Sequence, residues 1–186
     1  KTPTDQAIGH LENQPDWAPF SKIAFSSERA NGLAEIFVMN ADGTNVTQLT
    51  FNPGFVDDSP TWSPDGTKIA YGLSKDGSED STLQVMEVAT GRILPERIPD
   101  TQLGYVLHWH PDGSGFFYNQ LTGKVGTPER YLDSRARYHR LGTDPANDRI
   151  VMARGLDPEV AFEKIQLPAI LTSPTSEHAV LGLGDV

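Results

Sequence analysis

The stretch PTWSPDGTKIAYG, Pro60 to Gly72, returns further along the chain as LHWHPDGSGFFYN, Leu107 to Asn119. Both carry a Trp, a Pro-Asp-Gly turn and an apolar segment in the same order, with Pro64 and Pro111 47 residues apart. A period of roughly 20 to 50 residues is the mark of a repeat architecture, in which no unit buries its apolar faces alone. The fold therefore has to be read unit by unit.

In the block beginning at Pro60, PTW reads as a short strand running into a turn. Pro64 presets φ there and Gly66 tolerates positive φ. KIAYGLS forms the second strand, TLQVMEV (Thr82 to Val88) the third, and RILPERI (Arg92 to Ile98) a polar fourth. The block before it runs the same way. PDWAPFSKIAFSS places Trp17 45 residues ahead of Trp62, EIFVMNADGTN places Ile36 47 residues ahead of Leu83, and NVTQLTF closes the unit. The third block reads VLHWHPDGSGFFYNQ, an insertion from Leu121 to Ser134, then RARYHRLGTD and DRIVMA. LTSPTSEHAVLGLG opens a fourth, with Pro174 in the place of Pro64.

Units of four strands recurring at roughly 40 to 50 residues have the period of propeller blades. The expected fold is all-β: a partial β-propeller of about three and a half four-stranded antiparallel blades. The organisation reads as an amino-terminal segment (1–15), a first blade (16–57), a second (58–103), a third with the insertion 121–134 (104–165), and a half blade (166–186). PEVAFEKIQL, Pro158 to Leu167, is the one stretch with helical character, and its β-branched and aromatic residues suit a loop and strand equally well.

Composition agrees with many short strands. The chain has 186 residues, 37% of them apolar, with 17 Gly and 14 Pro and no cysteine. Disulfides, zinc–thiolate sites and cysteine nucleophiles are thereby excluded. A net charge of -10 argues against a nucleic-acid or anionic-membrane partner. Arg135, Arg137 and Arg140 are a local basic exception, read as a solvated strand edge. No apolar run reaches the roughly 18 residues of a membrane span. KTPTDQAIGH lacks a signal-peptide core, and the missing initial Met points to a processed product or cut fragment. Compartment stays open between cytoplasm and periplasm.

Trp17, Trp62 and Trp109 occupy equivalent places and are expected to pack between blades. Pro64, Asp65 and Gly66, like Pro111, Asp112 and Gly113, are turn positions where the carboxylate accepts backbone N–H groups. Recurrence favours structure over catalysis, because a reaction centre needs a residue once. His108 and His110 point to one face of a strand, the spacing of a metal pair, but no third ligand is implied. DGSED, Asp76 to Asp80, reads as a solvated hairpin tip. DGSGF around Ser114 is a turn, with no G-x-S-x-G elbow. No catalytic, cofactor or metal residue is expected.

Two resemblances stand on these motifs. SKIAFSSERANGLAEIFVMNADGTNVTQLTFN with the following DDSPTWSPDGTKIAY, Ser21 to Tyr71, resembles the repeat of TolB-like (WD-like) propellers. From about Ile69 onward the text is similar to the amino-terminal propeller of the prolyl oligopeptidase family of serine peptidases, most specifically in YHRLGTDPANDRIV, Tyr138 to Val151. That resemblance implies a propeller covering a separate α/β-hydrolase domain and restricting access to it. The catalytic Ser, Asp and His of the family belong to the hydrolase domain, so none is carried over and no enzyme is expected here.

The two likenesses meet inside SPDGTKIAY, which predicts a chimera, recombined or engineered, of blades from two propeller families. Three and a half blades also leave two apolar faces open, which predicts self-association into a homo-oligomer through them. The leading expectation is a non-catalytic propeller scaffold with a protein or peptide partner. The alternative is the isolated gating propeller of a prolyl oligopeptidase family peptidase.

Overall fold

The computed structural model describes residues 12–17, 21–30, 32–75, 78–102, 107–173 and 178–184, and in the first strand only the side chain of Asp16. Its strands fall into four antiparallel sheets taken in chain order. The first holds β1 (Glu12–Trp17), β2 (Lys22–Ser27), β3 (Glu35–Asn40) and β4 (Thr47–Gln48). The second holds β5 (Phe55–Trp62), β6 (Lys68–Lys75), β7 (Asp80–Glu87), β8 (Arg92–Ile93) and β9 (Ile98–Gln102). The third holds β10 (His108–Trp109), β11 (Gly115–Gln120), β12 (Arg135–Arg140) and β13 (Arg149–Ala153), and β14 (Leu167–Leu171) pairs with β15 (Val180–Gly184). This is an all-β, partial propeller: three full blades and half of another. Residues 158–166 form a loop leading into β14.

Periodicity sets which side chains meet across each seam. Trp62, Ile69 and Tyr71 face backward onto Ala24, Ile36 and Val38 of the first blade. Trp109, Phe116 and Tyr118, each 47 residues later, face backward onto Ala70, Leu83, Val85 and Ile98 of the second. Side chains alternate along a strand, so one blade serves both seams: Ile69 and Tyr71 turn one way, Ala70 the other. The polar ends of the buried tyrosines are satisfied inside their own blades. Tyr71 donates to Gln84 Oε1 at 3.1 Å, and Tyr118 to Asp148 Oδ2 at 2.9 Å.

The first strands of successive blades are stitched to each other. Trp62 N donates to Asp16 Oδ2 (2.7 Å), Trp109 Nε1 to the Thr61 carbonyl (3.1 Å) and Thr172 Oγ1 to the Trp109 carbonyl (2.6 Å).

Three elements differ from the sequence reading. PTW is the end of an eight-residue strand, β5, not a short one. The register slips between Asp58 and Thr61, where Ser59 has φ 56 and Pro60 has no N–H to give. β1 slips in the same way between Asn13 and Asp16, around Pro15. RILPERI is broken into β8 and β9, which pair with opposite ends of β7, with Pro95 in the break between them. The apolar ends also differ from each other. The backward face of the first blade, Ile23, Phe25, Phe37 and Met39, is buried within this chain. The Arg29 guanidinium lies 5.2 and 5.1 Å from the Phe25 and Phe37 ring centroids. The half blade, in contrast, leaves Leu171 37%, Val180 61% and Leu183 41% exposed.

Trp109→Ala empties a site in the second seam and also removes a cross-blade hydrogen bond. It is expected to lower unfolding free energy by about 3–5 kcal/mol. Phe51→Ala, at a position 70% exposed, is expected to cost under about 0.5 kcal/mol. Urea denaturation of the two variants checks the contrast.

Candidate functional site

The repeated turn residues sit where hairpins close. Asp65 Oδ1 accepts from Ser63 Oγ (2.6 Å), Thr67 N (3.0 Å) and Thr67 Oγ1 (2.8 Å), while Gly66 at φ 67 donates its N–H to the Ser63 carbonyl. Partial burial opposes ionisation of Asp65, but these hydrogen bonds and the Lys68 charge outweigh it and hold the carboxyl at about 2. Asp112 repeats the arrangement, accepting from Ser114 N at 2.8 Å with His110 Nδ1 at 2.7 Å. The Ser114 hydrogen bonds, with a smaller contribution from His110, hold it too at about 2. Pro64 and Pro111 occupy the matching turn corners, and the Gly113 N–H closes its turn on the His110 carbonyl at 2.8 Å. Trp62 and Trp109 are buried in the seams. The backbone of Trp17 pairs with Ile23, and its side chain, like Pro174 and residues 76–77, lies outside the described residues. Asp42 makes a third such turn, in the β3–β4 hairpin, by accepting from Thr44 N and Oγ1.

The polar residues considered for chemistry are dispersed. His110 engages Asp112, whereas the hydroxyl of Ser114 lies 2.9 Å from that of Tyr138. His108 is half-buried, which pulls its pKa down. Among the described residues no three His, Asp or Glu side chains cluster as a metal site. Arg135 and Arg140 stand at opposite ends of β12 and, five residues apart, on opposite faces, so the arginines do not form one patch.

Two buried polar clusters escaped the sequence reading. At the first seam, Glu35 and Asp57 are both fully buried. Thr50 Oγ1 donates to Glu35 Oε2 (2.7 Å), Asn52 N to Glu35 Oε1 (3.0 Å) and Asn52 Nδ2 to Asp57 Oδ2 (2.6 Å). Asp57 Oδ1 has no partner. Burial, reinforced by the Glu35 charge and only partly offset by the Thr50 and Asn52 hydrogen bonds, raises Asp57 to about 7. In the third blade, buried His139 Nδ1 lies 2.9 Å from Asp148 Oδ1, and Tyr118 donates to the same carboxylate.

The insertion 121–134 is built around Arg130, whose side chain is 5% exposed. Its Nε donates to Asp80 Oδ1 (2.5 Å), one terminal nitrogen to Asp100 Oδ1 (2.9 Å) and the other to the Gly123 carbonyl (2.9 Å). Leu121 N reaches the Asp100 carbonyl at 2.7 Å, and Tyr131 donates to Glu79 at 2.7 Å. A Cβ on Gly123 would lie 1.8 Å from the Glu129 carbonyl oxygen, so this position admits only glycine. A loop of the third blade is thus clamped onto one end of the second. Pro128, opening the 3₁₀ turn Pro128–Tyr131, was the available local signal; the acids 30 and 50 residues away were not.

Comparison with known proteins agrees with this architecture. Residues 58–167 match the family model described as prolyl oligopeptidase, N-terminal beta-propeller domain, and the chain belongs to that family. Prolyl oligopeptidase A of Galerina marginata is 31% identical over 139 residues, 60% of this chain and 18% of that protein. The Tol-Pal system protein TolB of Francisella tularensis is 30% identical over 76 residues, 41% of this chain and 17% of that protein. The chain thus spans under a fifth of the length of these relatives. Among solved structures, a prolyl endopeptidase superposes with a TM-score of 0.65 at 19% identity, over 92% of this chain and 29% of its own. TolB of Acinetobacter baumannii superposes with a TM-score of 0.59 at 17% identity, over 94% and 41%. Both likenesses establish the propeller fold, and the family match is to the non-catalytic amino-terminal propeller.

An acid whose folded pKa is raised stabilises the fold fully below its unfolded pKa and loses that contribution as pH rises through the folded value. For Asp57 the loss runs from about pH 4 to about pH 7. Asp57→Asn is expected to gain about 2 kcal/mol on the parent chain between pH 5 and pH 8, read from denaturation midpoints. Separately, Arg130→Gln leaves Asp80 and Asp100 without their shared cation. Amide exchange in 121–134 is expected to accelerate at least about tenfold, with β2 and β3 unchanged.

Proposed function

We propose that these blades are a non-catalytic propeller scaffold of the prolyl oligopeptidase type, serving beside a hydrolase domain as the element that limits substrate access. The observation that carries this reading is the family match over 58–167, which falls on the second and third blades and the seam between them. The activity belongs to the partner domain in this reading. The test is addition of the chain to a family hydrolase domain lacking its propeller. Binding, with slowed cleavage of long peptides and unchanged cleavage of short ones, is the expected result. Absence of binding contradicts the gating role.

A second reading rests on the exposed Leu171, Val180 and Leu183 of the half blade. As a 186-residue polypeptide the chain self-associates through that face, the outcome large exposed apolar surfaces favour. Light scattering on a size-exclusion column is expected to return a multiple of 20.3 kDa, and Leu183→Lys to return the single-chain mass. A parent chain at the single-chain mass contradicts it. TolB and prolyl oligopeptidase relatives matching the same chain support its origin as a chimera of two propeller families. A natural gene encoding the uninterrupted chain would overturn that origin.

A further inference from the structure

Opposite the Pro64–Gly66 turn, the other end of the second blade carries a cleft of about 380 Å³. That volume is in the range of sites for small organic molecules. The cleft lies where β5 begins, β6 ends and β7 begins, and its outer wall comes from the insertion of the third blade. One wall is apolar: Phe55 (36% exposed), Leu73 and, from the insertion, Val125 (60% exposed). Such groups in a concave site gain by covering.

The charges divide into two kinds. Asp80, Asp100 and Arg130 satisfy one another, and Glu79 at the rim accepts from Tyr131. Lys75 and Arg97 also line the cleft or its rim, both exposed, and neither has a side-chain hydrogen bond or ion pair among the described residues. Both cations stand beside the apolar wall of the cleft. Their complement is a single anionic group carried by an apolar body.

We propose that this cleft binds the free carboxyl terminus of a peptide ending in an apolar residue. The carboxylate lies between Lys75 and Arg97, and the terminal side chain packs on Phe55, Leu73 and Val125. The Arg130 clamp holds the insertion, and with it Val125, in place before the ligand arrives, so little ordering cost falls on binding. The proposal stands apart from the gating role, since it needs only the second and third blades.

The probes are N-acetylphenylalanine and its amide, which share the apolar group and differ in charge. They are titrated into the ¹⁵N-labelled chain at low salt and followed by amide shifts. The carboxylate is expected to saturate with a Kd of about 1 mM or tighter, shifting amides of β6, β9 and the insertion, and to bind at least tenfold more tightly than the amide. Lys75→Gln with Arg97→Gln is expected to erase that preference and Val125→Asp to weaken the carboxylate at least tenfold. Arg92→Gln, at the other end of the blade, leaves it intact. All these positions are exposed, and unchanged spectra without ligand show that each variant is folded. Equal binding of acid and amide, shifts confined to other surfaces, or no saturation by about 10 mM overturns the proposal.

Discussion

A four-stranded sheet with apolar side chains on both faces cannot remain alone in water, and everything else in this chain follows from that constraint. Each blade turns an aromatic set backward and a set of smaller residues forward. Trp62, Ile69 and Tyr71 meet Ala24, Ile36 and Val38. Trp109, Phe116 and Tyr118 meet Ala70, Leu83 and Val85. Large against small lets the sheets approach while filling the seam, and the period of the sequence is the period of this packing. The backward face of the first blade obeys the same rule by being buried within the chain.

This packing explains how much was legible in advance. Trp, the Asp-Gly turns and the alternating strands are local signals repeated at one spacing, so blade number and strand order could be read directly. Pro15 and Pro60 were visible as residues, but the slips they sit in depend on the strand beside them. Pro95 likewise split a strand that looked continuous. The polar groups of greatest consequence were hidden for another reason. Glu35 meets Asn52, and Arg130 meets Asp80 and Asp100, across sequence distances with no periodicity. The two open faces expected from counting blades became one, because burial at the chain's beginning is a tertiary fact.

The polar chemistry separates by depth. At the hairpin ends, Asp42, Asp65 and Asp112 accept local N–H and O–H groups and stay ionised, which fixes turns. Inside the first seam, Asp57 lacks a donor on one oxygen and resists ionisation. At the far end of the second blade, the Arg130 clamp joins two blades and leaves Lys75 and Arg97 facing solvent.

Native-state hydrogen exchange tests the seam most directly. If the blades are held by their shared faces, the amides of β6 and β11 exchange last and with one common opening free energy, since unfolding either blade exposes the other. Independent opening of the two sheets, or rapid exchange at Tyr71 and Phe116, would contradict the account.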